Sequence, residues 1–249
     1  MRILGIDSAT RSASVALVEN ETSIDEHRWD KQLSGYLGAS DSNGNCAEII
    51  VPLINALLKQ KKLTPADLSA IAVSIGPGSF TGLRVGLATA KGIAYSGGLP
   101  LIGISTLLAL AAGVKNFDGI VCSLLDARKS DVYMALFRRA GECLSRLTED
   151  ALLPIDTAIE CARRHQADAG GALLRIIGDA VEAHQEKLIR AFGTKIVLRS
   201  DHEYPSIAAQ VALLGRERFV RELLDDLGSL VPVYLRRPEA EMRKTGLSY

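Results

Sequence analysis

Between a short apolar run, Ala70-Ile71-Ala72-Val73-Ser74-Ile75, and a stretch with Leu83, Leu87, Ala90 and Ala94 at helical spacing stands Gly76-Pro77-Gly78-Ser79-Phe80-Thr81-Gly82. The run before it is too short for a helix and β-branched enough for a buried strand. Glycines and a proline then break the backbone, and the spacing predicts a helix over 81–96, stopped by Gly97-Gly98 and kept from continuing by Pro100. A strand, a glycine-rich turn and a helix N-terminus make a natural seat for an anion or for a close backbone contact, because the first N–H groups of a helix have no intrahelical partners. The Lys-Ser/Thr of a P-loop and the dinucleotide spacing of a Rossmann turn are missing. Two readings therefore stay open: an anion seat, or a tight turn feeding a closely packed helix.

The rest of the chain reads as alternating strands and helices. Met1–Asp7 is expected to be a strand, Ser8–Ser12 a turn and Ala13–Val18 the return strand; Gly119–Leu125, Asp126–Ser130 and Val132–Arg138 repeat that hairpin. Asp7 to Val15 is eight positions and so is Asp126 to Met134, with an Asp closing an apolar strand each time. A hairpin repeated with the same corner suggests two similar half-domains. Residues 19–45 read as irregular, and Ser34–Asn45 as a Gly-, Ser- and Asn-rich loop. Ile49, Ile50, Leu53, Ile54, Leu57 and Leu58 mark an amphipathic helix ending near Lys61, with Pro52 in its first turn if the helix begins near Glu48. Thr64-Pro65 is an N-cap with proline at the first helical position, and Leu101–Ile104 is a strand whose successor Ser105 caps a helix. Further helices are expected over 157–166, 180–192 and 205–219, strands near 173–177 and 195–198, and a polar, frayed end over 236–249.

With 249 residues, 47% hydrophobic and 23% charged, the chain buries a core of ordinary globular size. Lys plus Arg equals Asp plus Glu at 29 each, so no bulk field draws in nucleic acid or an anionic membrane. Clusters such as Lys59/Lys61/Lys62, Arg216/Arg218/Arg221 and Arg236/Arg237 with Arg243/Lys244 read as solvated faces. Cys46, Cys122, Cys143 and Cys161 form no Cys-x-x-Cys pair, and the first 18 residues carry Arg2, Asp7 and Arg11, unlike a signal peptide. No apolar run is long enough to span a bilayer, so a cytoplasmic chain with reduced thiols and no membrane partner is expected, Cys122 serving as a small buried hydrophobe.

The wording of the turn goes further than its spacing. Gly76-Pro77-Gly78-Ser79-Phe80-Thr81-Gly82-Leu83-Arg84-Val85-Gly86, with Lys91-Gly92 and Leu99–Leu107 behind it, resembles the TsaB (YeaZ) family, the bacterial subunit that accompanies the enzyme making threonylcarbamoyladenosine in tRNA. Ile3–Thr10, Asp126-Ala127-Arg128 with Asp131-Val132-Tyr133, and Pro232–Arg236 are similar to the family as well, the likeness being dense before 137 and thin over 140–229. The resemblance implies a two-lobed α/β fold of the actin-like/Hsp70-like (ribonuclease H-like) class, with an N-terminal lobe over 1–105, a C-terminal lobe over 106–249 and a tail from about 230 returning to the first lobe. In catalytic members of that class two hairpins pinch the phosphates of ATP. Asp7, Ser8, Thr10 and Asp126 would be a vestigial form of that nucleotide site, or would simply cap their turns, the reading favoured by Arg128 and Lys129 standing where relatives place small residues. Either cation would crowd a nucleotide or pair with Asp126 or Asp131.

The resemblance also implies what is missing. TsaD, the catalytic relative, carries a metal-binding histidine pair after the strand that follows this helix; here Gly103–Leu110 contains no histidine, and His27, His165, His184 and His202 stand isolated. Neither a metal nor the proteolysis once attached to the M22 glycoprotease-like relatives is expected. Many members have a histidine before the first long helix, where this chain has Gly44-Asn45-Cys46-Ala47. In the family the two N-lobe helices meet TsaD, or a second copy when no partner is present; Ile50, Ile54, Leu57, Arg84, Leu87 and Lys91 are the candidate contacts by helix position, with a glutamate at Leu87 expected to abolish binding and spare the fold. The function implied is that of a non-catalytic subunit that binds and activates TsaD, with TsaE as a further partner, for modification of adenosine 37 in tRNAs reading codons that begin with A. It would need no cofactor of its own, would meet tRNA only within the complex, and would have ATP or ADP at most at the subunit boundary. A small kinase or ATPase of the same fold, and a metalloprotease, are the alternatives.

Overall fold

The computed structural model describes residues 1–10, 12–20, 23–30, 46–199 and 206–236. Strand β1 (Arg2–Asp7) turns into β2 (Ser12–Glu19), and β3 (Ser23–Asp30) follows antiparallel beside it. Helix α1 (Cys46–Gln60), β4 (Ala70–Gly76), α2 (Phe80–Gly97) and β5 (Leu101–Ser105) come next, with β4 parallel to β1 and β5 parallel to β4, giving the order β3-β2-β1-β4-β5. β3 replaces part of the irregular stretch expected over 19–45. Its sequence, Ser-Ile-Asp-Glu-His-Arg-Trp-Asp, is too polar to announce a strand; pairing with β2 supplies its backbone bonds, and charge suits an edge position. The expected Ser34–Asn45 loop lies outside the described residues.

Helix α3 (Thr106–Ala112) leads into the second half: β6 (Gly119–Asp126), β7 (Asp131–Ala140), β8 (Cys143–Arg146), β9 (Ala151–Pro154), α4 (Ile155–Asp168), β10 (Leu174–Ile177), α5 (Ala180–Phe192), β11 (Ile196–Arg199) and α6 (Ile207–Val220). The second sheet has the order β11-β10-β6-β7-β8, with β9 paired to β7. Each sheet is thus an antiparallel meander whose first strand is extended by two parallel strands, the crossovers being helical. That is the two-lobed α/β plan with repeated half-domains. The repeat is looser than the equal eight-residue offsets suggest: Asp7 pairs with Ser14, whereas Asp126 pairs with Val132, so Val15 faces Ile6 but Met134 faces Leu124. The second turn is one residue tighter, and it reverses through three successive left-handed residues, Arg128, Lys129 and Ser130, with φ of 65°, 54° and 63°.

Strand alternation assigns the core to three layers. On the first sheet Leu4, Ile6, Ile71 and Val73 point toward α1 and α2, while Ile3, Ala70 and Ala72 point inward. On the second, Ile120, Cys122 and Leu124 point toward α4 and α5, while Val121 and Leu125 point inward. Helices α3 and α6 fill the shared layer between the sheets, where Leu107, Leu110, Val211 and Ala212 pack with residues of both. Helix α1 begins at Cys46, so Pro52 falls inside it rather than in its first turn; the ring is exposed, on the side away from the sheet.

Helix α6 corrects the lobe assignment. The return to the N-terminal lobe begins near Ser206, well before 230: α6 packs on β1, β2, β4 and β5, the Ser14 hydroxyl accepts from Ala208 N at 3.3 Å, and the Glu26 carboxylate accepts from both the amide and the hydroxyl of Ser206. The helix comes this close because the crossing carries almost no side chains. A β-carbon on Gly5 would overlap the Ala208 carbonyl oxygen, and one on Gly215 would overlap the Ala72 β-carbon. Gly5→Ala is therefore expected to cost about 1–3 kcal/mol through overpacking, read as a lower urea midpoint at unchanged slope; an unchanged midpoint would show that α6 is free to shift.

Candidate functional site: a sealed turn and an exposed helix face

β4 ends at Gly76, whose φ of 116° suits glycine, and the Gly76–Pro77 peptide is cis. Ser79 caps α2, its hydroxyl accepting from Gly82 N at 3.3 Å and its carbonyl from Leu83 N at 2.9 Å. The turn of the β1–β2 hairpin is pressed against this corner. Ser79 N donates to Ala9 O at 2.7 Å, and the Ser8 hydroxyl donates to Gly82 O at 2.7 Å. β-carbons on Gly78, Gly82 and Gly86 would overlap Ala9 O, Ser8 O and the Ser8 hydroxyl. Gly76-Pro77-Gly78-Ser79-Phe80-Thr81-Gly82 is accordingly the closely packed turn of the two readings, and what it receives is the backbone of the first hairpin.

The two hairpins use their aspartates alike. Asp7 is fully buried, and its Oδ1 accepts from Ala9 N at 3.3 Å; Asp126 is half-buried, and its Oδ1 accepts from Arg128 N at 2.8 Å. Each is a carboxylate bonded to the amide two residues on, the geometry of an Asx turn. Ser8 and Thr10 are buried as well, Thr10 donating to Ser12 O at 3.3 Å. Asp179 backs the second hairpin by accepting from Asp126 N at 2.8 Å, and Gly178 beside it packs on the Leu124 carbonyl. Arg128 reaches Asp126 through its amide, and the ion pair recorded for Asp131 is with Arg236.

Four of the six candidate contacts on α1 and α2 are not on the surface. Ile50, Ile54, Leu57 and Leu87 (4% exposed) belong to the layer between these helices and the first sheet. The physical reason is general: the largest apolar residues of an amphipathic helix go to its own sheet. Arg84 is exposed and Lys91 half-buried, its Nζ bonded to Gly228 O at 3.2 Å. The outward face is built instead from Val51 (48% exposed), Asn55 and Ala56 on α1 and from Ala88, Gly92 and Tyr95 (80% exposed) on α2. The signal that finds them is the step between the large residues, small or apolar at solvent positions.

A strap over 221–236 crosses the same region; its end holds the Pro232–Arg236 segment, while its first part has no clear mark in the sequence. Leaving α6, Asp225 bridges to Leu101 at the edge of β5, accepts from Gly103 N at 2.8 Å and pairs with Arg218. Val233 N then donates to Ile75 O at 2.7 Å, Tyr234 stacks on Phe80, and Arg236 reaches Asp131 in the second hairpin. The strap ties β5, β4, α2 and the β6–β7 turn together.

Residues 41–244 match the family model described as TsaD: tRNA N6-adenosine threonylcarbamoyltransferase. The tRNA threonylcarbamoyladenosine biosynthesis protein TsaB of Bacillus subtilis is 29% identical over 98% of this chain and 97% of its own length. TsaB of Escherichia coli is 36% identical over 56% of each chain. The crystal structure of YeaZ from Pseudomonas aeruginosa superposes with a TM-score of 0.70 at 20% identity, covering 94% of this chain and 99% of that one. The chain belongs to the TsaB/YeaZ family.

For this family member, the described residues contain no group of three His, Cys, Asp or Glu placed to hold a metal ion. His27 bonds to Gln60 at 2.8 Å and His165 to the Cys161 carbonyl at 3.0 Å; His202 and the Gly44-Asn45 segment lie outside the described residues. Burial pushes the Cys122 thiol far above its ordinary range, with nearby Cys161 adding to the effect, whereas Cys143 is exposed. Alkylation mapped by mass spectrometry is expected to mark Cys143 in the native protein and Cys122 only after unfolding. The buried position of Leu87 reverses the expectation for Leu87→Glu: an unpaired carboxylate in that layer costs about 3 kcal/mol or more, so thermal denaturation should show a destabilised monomer and not a selective loss of binding.

Proposed function

We propose that this chain is a non-catalytic subunit needed to form threonylcarbamoyladenosine at adenosine 37 of tRNAs reading codons that begin with A, acting by binding TsaD and favouring its competent state. The observation that carries the reading is the pairing of a likeness to curated TsaB along nearly the whole chain with an exposed face of small and apolar residues on α1 and α2. Val51, Ala56, Ala88, Gly92 and Tyr95 let another pair of helices approach closely, with Tyr95 as the large anchor. Activation then needs only tighter binding to the active conformation of the partner than to the inactive one.

TsaE is the further partner in this reading, tRNA is met within the complex, and ATP or ADP binds at the subunit boundary if it binds at all. The packing of the first hairpin turn on the backbone of α2, and the Asp179 carboxylate behind the second, support hairpins that hold their own lobes together. Without TsaD, the same face pairs with a second copy. The setting is the cytoplasm, where tRNA is modified; no described helix is long and apolar enough to cross a membrane.

An omission assay tests the reading. Purified TsaD, TsaE and the adenylate-forming enzyme are given unmodified tRNA, ATP, threonine and bicarbonate, with and without this chain. Modification is expected only when the chain is present, and modification at an equal rate without it would refute the role. Ala88→Arg should leave the fold within about 0.5 kcal/mol of wild type, as a surface change does, and should weaken TsaD binding by at least about tenfold.

A further inference from the structure

Arg84 differs from the rest of the exposed face in being held in place from within. Its Cζ lies 3.9 Å from the centroid of the Phe80 ring, and its Nε donates to the Tyr234 hydroxyl at 3.0 Å. The two rings stack with centroids 4.8 Å apart and planes 35° to one another. Tyr234 is fixed in turn by its neighbours on the strap, Val233 bonding to Ile75 and Arg236 pairing with Asp131. A guanidinium has five N–H donors and no acceptor. Nε uses one, and among the described residues no acceptor is recorded for the two Nη groups, which stand on an exposed side chain. Stacking and the Nε bond remove most of the rotamer freedom that an arginine loses on binding, so the fork is presented at little further entropic cost.

The two helices and the strap beside them differ in charge: exposed Asp226 of the strap lies near Lys91. Among the described side chains of α1 and α2, every charge is positive: Lys59, Arg84 and Lys91. Lys91 is spent on Gly228 O, and the carboxylate of Asp67, in the short turn that touches α2, is taken up by the amide and hydroxyl of Thr64 at 2.8 Å each. On the helices themselves no described carboxylate is available to meet the Arg84 fork, so an acidic group has to come from outside them. A carboxylate meets the fork with two parallel bonds.

We propose that Arg84, set by Phe80 and Tyr234, is the anchor for an aspartate or glutamate presented by the partner chain that docks on the α1–α2 face. The proposal rests on the reading that this face docks TsaD, and it adds the group that the partner must present. Tyr234 acts as a positioning residue, through the Nε bond.

The test is calorimetric titration of the full chain with purified TsaD at low and high ionic strength. Arg84→Met is expected to weaken TsaD binding at least about tenfold and to flatten its salt dependence. Arg84→Lys keeps the charge but loses the fork, and should fall between wild type and Arg84→Met. Tyr234→Phe keeps the stack but frees Nε, and should weaken binding by a few-fold. Should Arg84→Met prove unstable, the Lys and Phe variants carry the same prediction. Wild-type affinity and salt slope in Arg84→Met, with binding abolished by Ala88→Arg, would overturn the anchor and leave the docking face standing. Binding untouched by Ala88→Arg as well would overturn both.

Discussion

Backbone meeting backbone, with no side chain between, is the constraint on which the rest of this structure depends. Gly78, Gly82 and Gly86 let the start of α2 lie directly on Ser8 and Ala9, and Gly5 lets α6 lie directly on β1 from the opposite face of the sheet. The turn of the first hairpin is thus met at close range by α2, and the strand leading into it by α6. Helix α2 is fixed by the same contact, which decides which of its sides is left to solvent. The outward row of Arg84, Ala88, Gly92 and Tyr95 is thus a consequence of where Gly82 and Gly86 sit on the inward row.

The two sheets share one plan, yet their hairpins are finished differently. In the first, a buried Asp7 and a buried turn are sealed by α2. In the second, Asp126 closes a shorter turn of left-handed residues whose exposed side chains include Arg128 and Lys129, and Asp179, Gly178 and the strap supply the backing. Both aspartates serve the same local purpose, accepting from the amide two positions on. The strap adds to the α3–α6 layer a second link between the lobes, because it bonds to β5, β4 and α2 before ending on Asp131.

Much of this was legible in the residues. Strands β1, β2, β4, β5, β6 and β7 announce themselves by apolar runs cut by glycine, proline or aspartate, and α2 by its spacing and its Gly97-Gly98 stop. β3 did not, because a polar edge strand looks like a loop until its neighbour is known. The outward side of α1 and α2 is harder to read from the residues, for a specific reason. Ile50, Ile54, Leu57 and Leu87 attract attention as large apolar residues, and for that reason they are claimed by the sheet beneath. Arg84 was found, but not its fixation, since Phe80 is four residues away and Tyr234 is 150 away in sequence.

The sequence by itself determined the local units: which segments are strands or helices, where glycine allows a turn, and which family the wording of the turn belongs to. Those follow from short-range sterics and from period, which a few neighbouring residues carry. Tertiary structure alone decided that α6 returns to the first sheet, that equal spacing in the two hairpins hides unequal registers, and that the glycine-rich turn receives backbone. It also decided which apolar side chains are spent inside and which are left outside. Burial and register depend on partners brought together from distant parts of the chain, and no single segment specifies what it will meet.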